Sequence, residues 1–561
     1  MKKRNIGLRA TYLVVTIIIL ISQTYCSQQQ QSQTRIEPDT TQERREMLSL
    51  DEKIGQMLLV GFQEEDGVPS TQFNAHAERL IEELHVGGIL LFGRNVDEPM
   101  QIAQLTNKLQ DKAKIPLFIA TDQEGGKVAR IQKGITTFPG NMAIGATGDP
   151  QLAALAGKGM GAELQEIGIN LTLAPSVDIN NNPKNPIIGV RSFGERATHT
   201  AEMADEMIAG FHESNILTAI KHFPGHGDTD VDSHIDLPQI NHSLEHLMQN
   251  ELIPYQKLIE QNQVDMIMST HITFSQIEQS KKLPATLSPA ILTDLLRKKM
   301  GYNGVVVTDD MEMGAIVKNF GVEEAVVKAV EAGADIILIG HSWEHQQKAV
   351  KALKQAVDSG RISEERIDLS VKRILDLKAK SLNSRSIDHQ KRQIDVERVA
   401  TRLPLTASQK YAQKIAENSI TVVQDRQKVL PVEKDHDVTF FTMKNEQTWN
   451  TVLAASGVQN KVHLIDKNFV VPTSLKSNTV VIGTYQLDAN EKITNWIQQL
   501  VKHKKRVIVL GLDTPYEQSY LPEEVTYIAL YSTTKVSLEA GLRVVWGDLK
   551  AKGKLPVTLD Q

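Results

Sequence analysis

The sequence predicts an α/β protein, a (β/α)8 TIM-like barrel followed by a smaller α/β sandwich domain. Three observations carry that reading. The chain has 561 residues, more than one hydrophobic core organises. From residue 50 onward, eight short apolar runs alternate with longer amphipathic stretches, and no Rossmann-type glycine fingerprint accompanies them, which favours a closed barrel over an open sheet. Ionisable residues gather at the C-terminal ends of these runs, where barrels keep their chemistry.

The runs fall at 54–62, 88–92, 116–121, 170–177, 217–222, 265–270, 304–309 and 334–340, with helical patterns such as 73–84, 152–167, 201–213, 290–299 and 322–332 between them. A barrel over 49–380 follows. The polar stretch 381–407 reads as a linker, and 408–561 as the second domain. Its strand-like runs lie at 419–423, 438–442, 462–465, 479–483, 506–512 and 525–531, and several have helical patterns between them. This pattern predicts a mainly parallel sheet, with no complete catalytic constellation of its own.

Lys2, Lys3, Arg4 and Arg9 precede an apolar run from Leu13 to Ile21. That is the charged region and short apolar region of an export signal over 1–26, and it predicts a protein of the cell envelope. The single cysteine, Cys26, excludes an internal disulfide. It stands where a bacterial lipoprotein carries its lipid, although Tyr25 occupies a position that normally holds a small residue. Residues 27–48 then form a Gln-, Ser- and Thr-rich tether. With 41% hydrophobic residues, 23% charged residues and a net charge of −6, the bulk is that of a globular protein without a nucleic-acid footprint.

Five run ends are polar: Asp122 with Glu124, then Asp178, then Lys221 with His222, then His271, then Asp309 with Asp310. Such groups cost stability unless they converge on a ligand. The segment 221–229, Lys-His-Phe-Pro-Gly-His-Gly-Asp-Thr, leads into Asp232-Ser-His234. His222 and His226 have the spacing of a zinc-protease helix, but Pro224 and Gly225 break that helix and no glutamate lies between them. No metal and no cofactor are expected. Asp232 and His234 are two apart, so the carboxylate can hold one imidazole nitrogen while the other faces a substrate from a mobile loop. Asp309 directly follows a buried strand, which suits a nucleophile. Strand alternation turns Asp310 away.

These motifs, with Asp122-Gln-Glu-Gly-Gly126, Arg130 and Arg191-Ser-Phe-Gly194, resemble family 3 glycoside hydrolases, and among them the bacterial β-N-acetylglucosaminidases. The weaker segments Ala416-Glu-Asn-Ser-Ile420 and Gly553-Lys-Leu-Pro-Val557 resemble the family's second domain. The resemblance implies Asp309 as nucleophile, His234 as acid/base with Asp232 as its partner, and Asp122, Arg130, Arg191, Lys221 and His222 as the groups that hold the terminal sugar. It implies a carbohydrate partner, a GlcNAc-containing glycan or muropeptide, cleaved through a covalent glycosyl-enzyme with retained configuration. Two alternatives stand beside it: a phosphorylase that uses phosphate instead of water, and a lipid-tethered sugar-binding protein with an inactive barrel.

Overall fold

Ser49 opens the first helix, Leu50–Gln56, with a capping box. Its hydroxyl accepts from the Glu52 N–H, and the Glu52 carboxylate accepts from the Ser49 N–H. This local bonding makes residues 54–56 helical, although the apolar pattern had placed them in the first strand. Strand β1 is consequently short, Leu58–Val60. The structure is a computed structural model that describes residues 45, 48–65, 67–229, 237–278, 283–382, 393–434, 437–487 and 491–559. The expected signal, Cys26, Asp232 and His234 lie outside the described residues.

Seven further strands follow β1: β2 (Gly88–Leu90), β3 (Phe118–Thr121), β4 (Leu171–Thr172), β5 (Leu217–Phe223), β6 (Met266–Ser269), β7 (Val305–Val307) and β8 (Ile337–Ile339). They pair in parallel in the order β7-β6-β5-β4-β3-β2-β1-β8. A parallel bridge between Val307 and Ile336 brings β7 against β8 and closes the ring. Nearly every strand residue is buried, because helices cover the outside while side chains fill the inside, so the strands read as unbroken apolar runs. Two of the covering helices, α1 (Pro150–Glu166) and α2 (Ala197–Glu213), touch backbone to backbone. A Cβ on Gly157 would lie 2.0 Å from the Met207 carbonyl oxygen, and one on Gly210 would lie 2.2 Å from that of Ala154.

The second sheet contains β9 (Thr421–Gln424), β10 (Val438–Thr442), β11 (Val462–Leu464), β12 (Thr479–Thr484), β13 (Arg506–Gly511) and β14 (Thr526–Ala529). Its order is β9-β14-β13-β12-β10-β11. Only β9 is antiparallel to its neighbour. Of the stretch expected to be a plain linker, the part described from residue 393 on is built into the structure. Asn107 exchanges two hydrogen bonds with the Ile394 backbone, and Val396–Arg402 is helical. The next helix, α3 (Thr406–Ser419), packs on α1, where the Ser408 hydroxyl donates to the Gly159 carbonyl.

The C-terminal segment returns to the barrel. Gly553 N donates to the Ile420 carbonyl and Lys554 N to that of Ala146, while Glu195 N donates to the Pro556 carbonyl. The Glu195 carboxylate accepts from the backbone and hydroxyl of Thr558. The two second-domain motifs singled out in the sequence therefore meet each other and brace the loop that carries Arg191.

Candidate active site

The barrel mouth holds a cavity of about 470 Å³ lined by Asp122, Arg130, Arg191, Lys221, His222 and Asp309 together with neighbours from β2, β6 and β8. Six of the eight residues expected at the site from sequence thus converge. They come from five places in the chain, which barrel closure, the hairpin 123–129 and the braced Arg191 loop bring together.

Lys221, at the end of β5, is the electrostatic centre. Its Nζ lies 2.8 Å from Asp122 Oδ1 and 2.8 Å from Glu124 Oε1. Burial disfavours its charge, but the two carboxylates outweigh that and raise its pKa. Glu124 also accepts two bonds from Arg191, 2.9 Å from Nε and 2.8 Å from Nη2, the paired geometry a guanidinium offers a carboxylate. Burial pushes the Glu124 carboxyl up, yet Arg191 and Lys221 prevail and hold it at about 2. Asp122 behaves alike: burial raises it, and Lys221 and Arg130 (3.2 Å) bring it below its ordinary value.

His222 is fixed by a second buried carboxylate. Its Nδ1 lies 2.7 Å from Asp178 Oδ2, while Asp178 Oδ1 accepts from the His226 N–H at 2.7 Å and Ser176 donates to Oδ2. The carboxylate thereby selects Nδ1 as the protonated nitrogen and leaves Nε2, 3.4 Å from Arg191 Nη2, on the cavity side. Burial pushes His226 down to about 4, with His222 adding to the effect.

Asp309 sits two residues past β7, half-buried, with Oδ1 accepting from the Asp310 N–H at 2.8 Å. Burial alone would raise its carboxyl; His271, His222, that backbone bond and Lys221 together bring it below the ordinary value. It is an ionised carboxylate that, among the described residues, has no close arginine or lysine clamp such as occupies Asp122 and Glu124, and so it keeps lone pairs for chemistry. Asp310, expected to turn away, lines the same cavity, while its Oδ1 accepts from Gly340 N past β8 and from Glu312 N. Burial and the nearby acids Glu312 and Asp309 push it up to about 7. His271 reaches Thr286 Oγ1 with Nδ1 and the Asp310 carbonyl with Nε2, which braces the backbone next to Asp309.

Glu124 and Asp178 were visible in the sequence only as polar strand ends; their work as anchors for Arg191 and His222 depends on contacts across the barrel. Phe92 and His341 also line the cavity. Each stands just past a strand, and the strand-end rule marks both positions without assigning a role.

A closed parallel barrel whose mouth pairs arginines and lysine with carboxylates, and whose Asp309 carboxylate faces the cavity outside that pairing, is a site for gripping and attacking a polyhydroxylated ligand. Residues 49–377 match the family described as glycosyl hydrolase family 3, N-terminal domain. The chain belongs to glycosyl hydrolase family 3. It is 37% identical over 367 residues to β-hexosaminidase A of Pseudoalteromonas piscicida, a match that spans 59% of this chain and 61% of that protein. Over 274 residues it is 35% identical to a β-hexosaminidase of Haemophilus influenzae, covering 48% of this chain and 76% of the other. A solved family 3 β-N-acetylglucosaminidase from Paenibacillus sp. str. FPU-7 superposes with a TM-score of 0.81 at 37% identity, covering 91% of this chain and 99% of that one.

Proposed function

We propose that the protein is a retaining exo-β-N-acetylglucosaminidase that releases terminal β-linked N-acetylglucosamine from peptidoglycan fragments or related oligosaccharides, as an exported enzyme of the cell envelope. The observation that carries the reading is Asp309: an ionised carboxylate facing the same cavity as the paired Asp122, Arg130, Arg191, Lys221 and His222. Family membership and the names of the relatives support the sugar.

In the proposed reaction Asp122 and the surrounding cations hold the hydroxyls of the terminal sugar, the carboxylate accepting and the cations donating. The Asp309 carboxylate attacks the anomeric carbon. The bond to the leaving oxygen breaks, and that oxygen takes a proton from His234. The resulting glycosyl ester is opened by a water whose proton passes to His234, freeing Asp309 and the sugar with net retention. Asp232 keeps the His234 ring oriented.

The test is release of a chromophore from an aryl β-N-acetylglucosaminide. Asp309→Ala should lower kcat about 10³-fold or more. His234→Ala should be less affected with an activated aryl leaving group than with an oligosaccharide, and added azide should restore turnover because it needs no base. Full activity in both variants refutes the assignment of residues. An unaltered protein that binds the sugar yet releases nothing favours the inactive-barrel alternative.

A further inference from the structure

The parallel part of the second sheet runs β14-β13-β12-β10-β11, so the chain leaves β10 toward β11 on one side and builds β12, β13 and β14 on the other. A crevice opens at the carboxyl ends of the strands where that direction reverses, the usual ligand position of open α/β sheets. Here the crevice is a cavity of about 400 Å³ between β10, β12, β13 and β14 on one wall and the barrel hairpin 123–129 on the other. Asn445, at the end of β10, donates to the Thr533 carbonyl past the end of β14 and ties its two sides together.

Its charge is one-sided. Lys127 comes from the barrel hairpin, Lys444 from the end of β10 and Lys535 from the segment after β14, against a single lining acid, Asp513. Lys444 lies 4.9 Å from the centre of the Tyr485 ring. Among the described residues, neither Lys127 nor Lys444 has a carboxylate at ion-pair distance, and Lys535 has only the exposed Glu539 at 3.5 Å. The helices Glu446–Ala455 and Lys535–Val545 both begin at this crevice without a side-chain cap, which adds to its positive potential.

The crevice and the active-site cavity share a wall. Val128 and Arg130 line the active-site cavity, whereas Lys127 and Ala129 line the crevice; likewise Arg191 faces one and Val190 the other. A ligand longer than one sugar in the barrel mouth has this basic crevice across the hairpin. We infer that the crevice is a subsite for a carboxylate carried on the leaving-group side of the substrate, a role for the second domain that rests on the glycosidase reading above.

The test uses two substrates that differ by one methyl group and one charge: β-linked N-acetylglucosamine joined to a sugar bearing a carboxylic acid, and the methyl ester of the same compound. In the full-length protein KM for the ester should exceed KM for the acid by about five-fold, the size expected of two or three exposed charge pairs. In the variant with Lys127→Glu and Lys444→Glu together the ratio should fall to one or invert. A ratio equal in parent and variant overturns the subsite. If neither compound is cleaved, the glycosidase reading fails on its own account. Calorimetric titration of the parent and the variant with the acid-bearing sugar and its ester then still decides the inference. Weaker binding of the acid by the variant, with the ester unchanged, supports it; equal affinity of the parent for acid and ester overturns it.

Discussion

Replacing Glu124 by glutamine removes the carboxylate that neutralises both Arg191 and Lys221 while keeping its volume. Glu124 is 1% exposed, and its carboxyl falls from an ordinary 4.5 to about 2 in the fold. At about 1.4 kcal/mol per pH unit, that difference corresponds to about 3 kcal/mol of stability near neutral pH, in line with the penalty for leaving a buried partner charge uncompensated. Because the folded value is the lower one, the contribution is complete above pH 4.5 and is lost as pH falls toward 2. At pH 3 less than half of it remains. Urea unfolding of parent and Glu124→Gln at pH 7 and at pH 3 should therefore show a gap that more than halves. A gap below about 0.5 kcal/mol at pH 7, or one independent of pH, would show that the Arg191–Glu124–Lys221 array is not the electrostatic keystone described above.

Asp310 should behave in the opposite sense. Its carboxyl is raised to about 7, so its contribution is present below the ordinary value of 3.8 and is lost as pH climbs through 7, about 4 kcal/mol in all. Asp310→Asn, which keeps an acceptor for Gly340 N and Glu312 N, should flatten stability between pH 4 and 7; an unchanged slope would count against it. A side chain at Gly194 (φ +151°) would put Cβ 2.5 Å from the Pro556 carbonyl oxygen. Gly194→Ala should thus cost about 2 kcal/mol and raise KM by loosening the Arg191 loop, whereas an unaltered KM would show that the C-terminal brace does not hold that loop.

Much of the site could be read before folding because barrels place function by rule. Asp122 follows an apolar run and Lys221, His222 and Asp309 end theirs, and the run itself announces a strand buried on both faces. Local pattern failed where two local signals compete. Residues 54–56, Ile-Gly-Gln, run directly into the apolar stretch that continues to Phe62, but the Ser49–Glu52 box claims them for a helix. The polar composition of 393–402 suggested a linker, yet its contacts are with distant Asn107 and a local helix cap at Asp395.

What the amino-acid order determined on its own is the alternation of strands and helices and the identity of the polar strand ends, since both depend on burial periodicity within a few residues. Pairing was decided only by the closed barrel. Glu124 meets Arg191 across 67 positions and Asp178 meets His222 across 44, and the ionisation of each carboxylate is set by the partners closure delivers to it. The basic crevice of the second sheet belongs to the same category, because the reversal point between β10 and β12, and the barrel hairpin that faces it, exist only once the strands have found their order.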